Sequence, residues 1–259
     1  GLFGVGALVP LLAAHEGGGS WRLVWLIFAG VGALALVLTL WLLRDPPGSP
    51  LPEAGREAER GAVPVYRRPR VLGVGLAYGL GGFAFSVQSL FMLSFMLSTG
   101  VPAAVAGSLV SLNGLLSVVS GLGWGWLSDR LGRGPAMTLA ALLALLATLA
   151  PVLHPALPGF TLHWLVLGAT MTGLFTLFQA SGSEGVAPAD APLALSAVTL
   201  FFALGQLVGP ALAGRLIDHA GASSGGGFRL VFALTSLALL LALGLSLWLW
   251  RSGVRRGAG

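Results

Sequence analysis

Cysteine and lysine are both absent from the 259 residues, and only nine side chains are acidic. The missing cysteine removes any disulfide framework and is compatible with any compartment. Charged residues make up 9% of the chain, against about 25% in a soluble domain, which excludes a water-soluble globular protein. No stretch reads G-x-S-x-G, H-E-x-x-H or as a phosphate-binding loop. The corresponding enzyme classes and ATP-driven chemistry have no motif to rest on, and no catalytic residue, cofactor or metal site is expected. What is present is apolar: 56% hydrophobic residues and a mean hydropathy of +0.89. The chain reads as an all-α, multi-pass membrane protein whose first partner is the lipid bilayer.

Charge-free stretches cover residues 23–43, 71–128, 134–183, 191–214 and 230–250. About 20 residues cross the hydrocarbon core as a helix, so the second and third stretches each hold two spans. Ser98-Thr99-Gly100-Val101-Pro102 divides one, and His154-Pro155 through Pro158-Gly159 divides the other. Seven complete spans result. Residues 1–14 read as an eighth span cut off at its start, so the chain is expected to be a fragment.

All 14 basic residues are arginine. With 44–70, 128–135, 181–191 and the C-terminus in the cytoplasm, the outside holds Arg22, Arg215 and Arg229 and the remaining arginines lie inside. The positive-inside rule therefore predicts a cytoplasmic C-terminus, and a bacterial inner membrane is the expected location. Trp21, Trp25 and Trp164 then fall near outer span ends, and Trp41, Trp124, Trp126, Trp248 and Trp250 near inner ones. The pI near 11.2 follows from the arginines and requires no nucleic-acid partner.

An internal repeat organises the spans. At an offset of 207 residues, Trp21-Arg22-Leu23-Val24-Trp25 aligns with Phe228-Arg229-Leu230-Val231-Phe232, and Trp41-Leu42-Leu43-Arg44 with Trp248-Leu249-Trp250-Arg251, without a gap. The second and eighth spans are equivalents six helices apart, so the repeat unit is six helices. Residues 1–43 are then the last two helices of one half, 44–70 a flexible cytoplasmic linker, 71–251 a complete second half and 252–259 a cytoplasmic tail. On this count the spans are helices 5–12 of an expected 12.

The loop after helix 8 reads Gly123-Trp124-Gly125-Trp126-Leu127-Ser128-Asp129-Arg130-Leu131-Gly132-Arg133-Gly134. Gly125, Asp129, Arg130, Gly132 and Arg133 match G-x-x-x-D-R-x-G-R, which resembles the cytoplasmic loop signature of the major facilitator superfamily. Gly205-Gln206-Leu207-Val208-Gly209-Pro210 in helix 11 adds to the likeness. Tyr78 to Phe85 in helix 7 and Ser120 to Gly125 in helix 8 look similar to its YbfB-type branch. The resemblance implies a transporter of small-molecule substrates built from two six-helix halves. It further implies a latch, in which Asp129 and its loop hold the halves together beside helix 5, and an acidic partner, Glu184, for Arg130 and Arg133. Gly134-Pro135 departs from the extra basic residues that usually follow the signature.

Candidate substrate contacts come from the polar residues. Helices 7, 8, 10 and 11 carry one amide each, Gln88, Asn113, Gln179 and Gln206, whereas helices 6, 9 and 12 carry none. An amide is costly against lipid and faces a protein interior or an aqueous cavity. Helical spacing extends each into a stripe: Tyr78, Phe85 and Gln88; Asn113, Ser117 and Ser120; Thr172, Thr176 and Gln179; Thr199, Phe202 and Gln206. The competing reading is that these groups hydrogen-bond between helices. Phe175 and Phe201 are assigned to packing, and His163 to the outer membrane interface.

Helices 6–12 have no acidic or basic residue near their middle. A carboxylate that couples transport to an ion, the proton being the candidate, is expected in helices 1–4. Pro10, Gly209 and Pro210 are candidate hinges, because proline frees a carbonyl and bends a helix. The glycines of helix 7 (Gly75, Gly79, Gly82) and the stripe Ser117, Gly121, Gly125 of helix 8 are expected to allow close helix contact. The expected function is secondary transport of a small solute by alternating access. A transport-inactive receptor or scaffold derived from a transporter is the alternative.

Overall fold

The computed structural model describes residues 20–42, 64–220 and 225–257. Residues 1–14 with Pro10, and positions 44–63 of the expected linker, lie outside them. Among the described residues, seven helices are long and apolar enough to cross a membrane: α1 (Ser20–Leu42), α2 (Pro69–Ser98), α3 (Ala103–Leu131), α4 (Arg133–Leu153), α5 (Leu157–Gly182), α6 (Ala191–Ala220) and α7 (Gly226–Gly257). They correspond to the expected helices 6–12. Helix is the default here because hydrocarbon offers no partner for backbone N–H and C=O groups, which must bond within the segment.

The breaks fall where glycine and proline permit. After α2, the Gly100 and Val101 N–H groups donate back to the Leu97 and Met96 carbonyls, with Gly100 at φ +85°. This is the Schellman closure of a helix, and Pro102 cannot extend it. Between α3 and α4 the connection is one residue, Gly132, at φ 88° and ψ 154°. That region of backbone space is essentially confined to glycine, so Gly132→Ala is expected to cost about 1–3 kcal/mol, read as a lowered melting temperature of the purified protein.

Two expected boundaries move. Residues 64–70 fall within the linker by sequence, yet Val65–Arg67 form a 3-10 turn with Val65 buried, and α2 begins at Pro69. The apolar Val65 anchors this stretch in the core, against α2 and α6. The tail expected from 252 onward continues α7 as far as Gly257.

α2 to α7 pack in a regular pattern. The main interfaces are α2 with α6, α3 with α5, α4 with α7, α2 with α7 and α4 with α5. Exchanging the first three of these helices for the second three carries each interface onto another or onto itself. α1 has no extended interface with any of them, and its residues with described side chains are exposed or nearly so.

Small residues set the closest approaches. Ala136, Ala140, Ala144 and Ala147 of α4 are buried, and α4 packs on α7 and α5. On α2, a Cβ at Gly79 would stand 2.9 Å from the Phe201 carbonyl, one at Gly82 2.5 Å from that of Phe202, and one at Gly75 2.6 Å from the Phe201 ring. These glycines therefore seat α6 directly on α2. The α3 stripe behaves differently: a Cβ at Gly125 would meet no atom within 4 Å, and one at Gly121 would make only ordinary contact with Thr176 and Thr172. The expectation of a tight α3 contact at Gly125 is corrected among the described residues, because that face of α3 is open.

Candidate functional site

A cavity of about 490 Å³ lies between α2, α3, α5 and α6. α4 and α7 supply none of its lining, and the four helices that do are the four carrying an amide. Proteins hold small ligands in spaces of about 300–1,000 Å³, so the volume suits one.

Seven of the ten candidate substrate residues line it: Tyr78, Phe85, Gln88, Asn113, Thr172, Phe202 and Gln206. Ser117 joins them. The other three do not. Thr176 is exposed and donates to the Thr172 carbonyl at 3.0 Å, Thr199 is exposed, and Gln179 is exposed with its side chain near the Tyr78 hydroxyl. Thr176 and Gln179 lie one and two turns beyond Thr172 on α5, past the end of the cavity. Ser120 is spent elsewhere, donating to the Ala169 carbonyl at 2.9 Å and accepting from the Gly173 N–H at 3.2 Å. It makes interhelical hydrogen bonds of the kind that the competing reading expects.

Aromatic rings form one wall. Tyr78 stacks on Phe202 with centroids 4.3 Å apart, Phe175 meets Phe202 edge-on at 5.0 Å, and Phe85 meets Phe175 edge-on at 5.5 Å. Phe175, assigned to packing, is thus part of the cavity wall, whereas Phe201 packs over Gly75 and Gly79. Trp164 also turns inward: it is 6% exposed, lines the cavity and donates to the Met96 sulfur at 3.2 Å. Trp124 is buried too, donating to the Ala169 carbonyl at 2.8 Å beside Gly173. Both tryptophans stand near span ends but face the bundle. Hydropathy cannot tell a ring that meets lipid from one that meets a neighbouring helix.

The polar groups of the lining differ in what they have left to offer. Asn113 donates to the Trp164 carbonyl at 3.1 Å, and Ser117 donates to the Asn113 carbonyl at 2.8 Å. Gln88 is 1% exposed, and neither its Oε1 nor its Nε2 has a partner among the described residues. His163, expected at the membrane interface, is instead fully buried. Its Nδ1 lies 3.0 Å from the Ala147 carbonyl and its ring packs against Trp164 and Phe232. Being aromatic, it fills the junction of α4, α5 and α7 with one hydrogen bond satisfied.

The loop signature gathers a second group at one end of the bundle. Glu184 accepts from Arg133 at 2.6 Å and also pairs with Arg70 of α2. Arg133 donates as well to the Ala180 carbonyl at 3.1 Å, and Arg68 stands 3.6 Å from Asp190. Arg130 does not join Glu184; it lies over the Trp126 ring, 4.0 Å from the centroid. The reason is direction: Arg130 is on the open side of α3, while Arg133 begins α4 on the side of α5. Asp129 is exposed and makes no hydrogen bond or ion pair among the described residues. Gly209, a candidate hinge, is buried where a Cβ would stand 2.6 Å from the Ser86 hydroxyl, with Pro210 following inside α6.

The described residues thus form a polytopic helical bundle with an uncharged cavity and, at one end, a one-residue glycine connection flanked by Asp129, Arg130 and Arg133. Residues 1–247 match the family model described as uncharacterised MFS-type transporter YbfB, so the chain belongs to that family of the major facilitator superfamily. Monocarboxylate transporter 12-B of Danio rerio is similar, 28% identical over 162 residues that cover 60% of this chain and 34% of that protein's length. The chain thus spans about a third of that relative. Two crystal structures of a bacterial homologue of the human lysosomal transporter Spinster share the fold. The inward-facing unoccupied form has a TM-score of 0.59 and 18% identity over 98% of this chain and 67% of that one. The inward-facing occupied form has a TM-score of 0.64 and 19% identity over 96% and 66%. The exchange symmetry of α2–α7 matches the inverted three-helix repeats of superfamily halves.

Proposed function

We propose that this chain supplies much of a secondary transporter that moves a small solute across the membrane by alternating access. Residues 71–251 would form one half and residues 1–43 the end of the other. The carrying observation is the cavity itself, bordered by four helices and lined with polar groups and aromatic rings. The cavity lining contains no Asp, Glu, His, Lys or Arg among the described residues. Such a lining offers no proton-coupling carboxylate of its own. Thr176, Gln179 and Thr199 would meet solute only during entry or exit, when the halves rock apart. Gly209-Pro210 is the proposed hinge in α6.

Solute counterflow in vesicles containing the full-length protein tests this reading. Binding of a solute without exchange would instead favour a receptor. The same vesicles test the latch. Asp129 has an unused carboxylate on the open side of α3, suited to donors at the end of a neighbouring helix. Asp129→Asn is expected to slow counterflow about tenfold or more, within the range by which misplaced parts slow a mechanism. It should also raise labelling of single cysteines placed at the loop end, and cysteine is absent from this sequence. Unchanged exchange and unchanged labelling would remove the latch.

A further inference from the structure

We propose that the cavity between α2, α3, α5 and α6 takes an uncharged, flat solute with an amide-like edge, and that Gln88 is the side chain that reads that edge. The proposal rests on the cavity being the substrate site of the transporter described above. It adds the chemical class of what is carried.

Gln88 is the starting point because its hydrogen-bonding capacity is unspent. The residue is 1% exposed, it borders the cavity, and both amide atoms lack partners. Buried polar groups are nearly always paired, since leaving one unpaired costs about 1–3 kcal/mol. A glutamine in that condition beside a cavity has a donor and an acceptor to offer a solute, once its side chain turns toward the space that its shielded amide atoms do not face while the cavity is empty. Asn113, another amide of the lining, is less available because it already donates to the Trp164 carbonyl.

The amide also restricts what it can read. It presents an acceptor and a donor side by side. The complementary edge is a C=O next to an N–H, as in a carboxamide, a lactam or an imide. A carboxylate satisfies only half of that pattern and sets an oxygen against the Gln88 oxygen. It would further bring a charge into a membrane interior where no described cationic side chain lines the cavity, at a large desolvation cost. A carboxylate specificity of the kind named in the Danio rerio relative is therefore not what this half is built for.

Flatness follows from the wall. Phe85 lies one helical turn from Gln88 on α2, and with Phe175, Phe202 and Tyr78 it forms a continuous aromatic surface. Ring faces and edges favour offset or edge-on packing against another π system. The cavity of about 490 Å³ accommodates a solute of one or two rings.

The test uses matched probes on purified full-length protein in lipid nanodiscs. Benzamide and nicotinamide are compared with benzoate and nicotinate, and benzamide with cyclohexanecarboxamide, by equilibrium binding of the tritiated compounds. The amides are expected to bind saturably, more tightly than their acids, and benzamide more tightly than its non-planar analogue. Gln88→Met, of similar shape but without the amide, should weaken benzamide about tenfold while keeping the melting temperature of the empty protein equal or higher. That last readout distinguishes a lost contact from a damaged fold. The inference is overturned if benzoate binds as well as benzamide, if cyclohexanecarboxamide matches benzamide, if Gln88→Met leaves benzamide affinity unchanged, or if no amide binds saturably. Because binding needs no translocation, amide binding without counterflow would sink the transport reading alone. Counterflow of an anion independent of Gln88 would sink only this one.

Discussion

Replacing Gly205 with valine is expected to abolish most folded protein. A Cβ at Gly205 would fall on the Gly79 carbonyl and stand 2.8 Å from the Phe83 nitrogen. The contact is reciprocal, since Cβ atoms at Gly79 and Gly82 of α2 would crowd the Phe201 and Phe202 carbonyls of α6. Backbone meets backbone on both sides, so no side chain can rotate away and the helix axes must separate. Overpacking costs about 1–3 kcal/mol where side chains can adjust. Here the expected cost is about 3 kcal/mol or more, beyond that range, because separating α2 from α6 also opens the aromatic wall that Phe202 completes. Monodisperse yield after size-exclusion chromatography and the thermal midpoint measure the effect. Gly125→Val is the control: a Cβ there meets no atom within 4 Å in this bundle, and both readouts should stay unchanged.

The contrast between Gly205 and Gly125 shows how far a sequence can be read. Both sit in glycine-rich helical stripes, and spacing alone assigns them the same role. Only the register between helices separates the glycine that seats a neighbour from the one on an open face. The helices themselves are legible, because hydrocarbon forces backbone groups to pair locally and turns then concentrate at Gly100-Val101-Pro102 and Gly132. The lining helices are legible for a related reason, since an amide cannot face lipid cheaply. That logic locates Gln88, Asn113 and Gln206. It does not place the end of the cavity, so Thr176 and Gln179 continue a stripe past it. It also misses Trp164 and Phe175, whose apolar rings carry no sign of which neighbour they meet.

Charge pairing is the least legible part. The loop signature matches Glu184 with Arg130 and Arg133, yet the second partner of Glu184 is Arg70, 114 positions away in sequence. By composition Arg70 belongs to the linker. Its helix starts earlier than the charge-free run suggests, and that shift of one element boundary brings a third helix to the same carboxylate.

Glu184→Ala should accordingly lower stability by about 2 kcal/mol, between the values for exposed and buried ion pairs. The carboxylate, in the segment after α5, pairs with Arg70 of α2 and Arg133 of α4, so a single side chain fastens three helices at the loop end. Exposed ion pairs contribute about 0.2–1 kcal/mol each, while removing one partner of a buried pair costs about 3–5. The three side chains are 26–37% exposed, which puts two shared contacts between those limits. Loss of the carboxylate also leaves two guanidinium groups facing each other without a counter-charge, and the buried Arg70 Nε already lacks a partner. The deficit should therefore shrink in high salt, where screening weakens their repulsion. Arg130→Ala removes only the stacking on Trp126, an exposed ring, and should cost about 0.5–1 kcal/mol. Thermal unfolding of both variants at low and high salt checks the ordering. If Arg130→Ala were the more damaging, the loop signature would act through Arg130, and the tie between α2, α4 and α5 would be incidental to the fold.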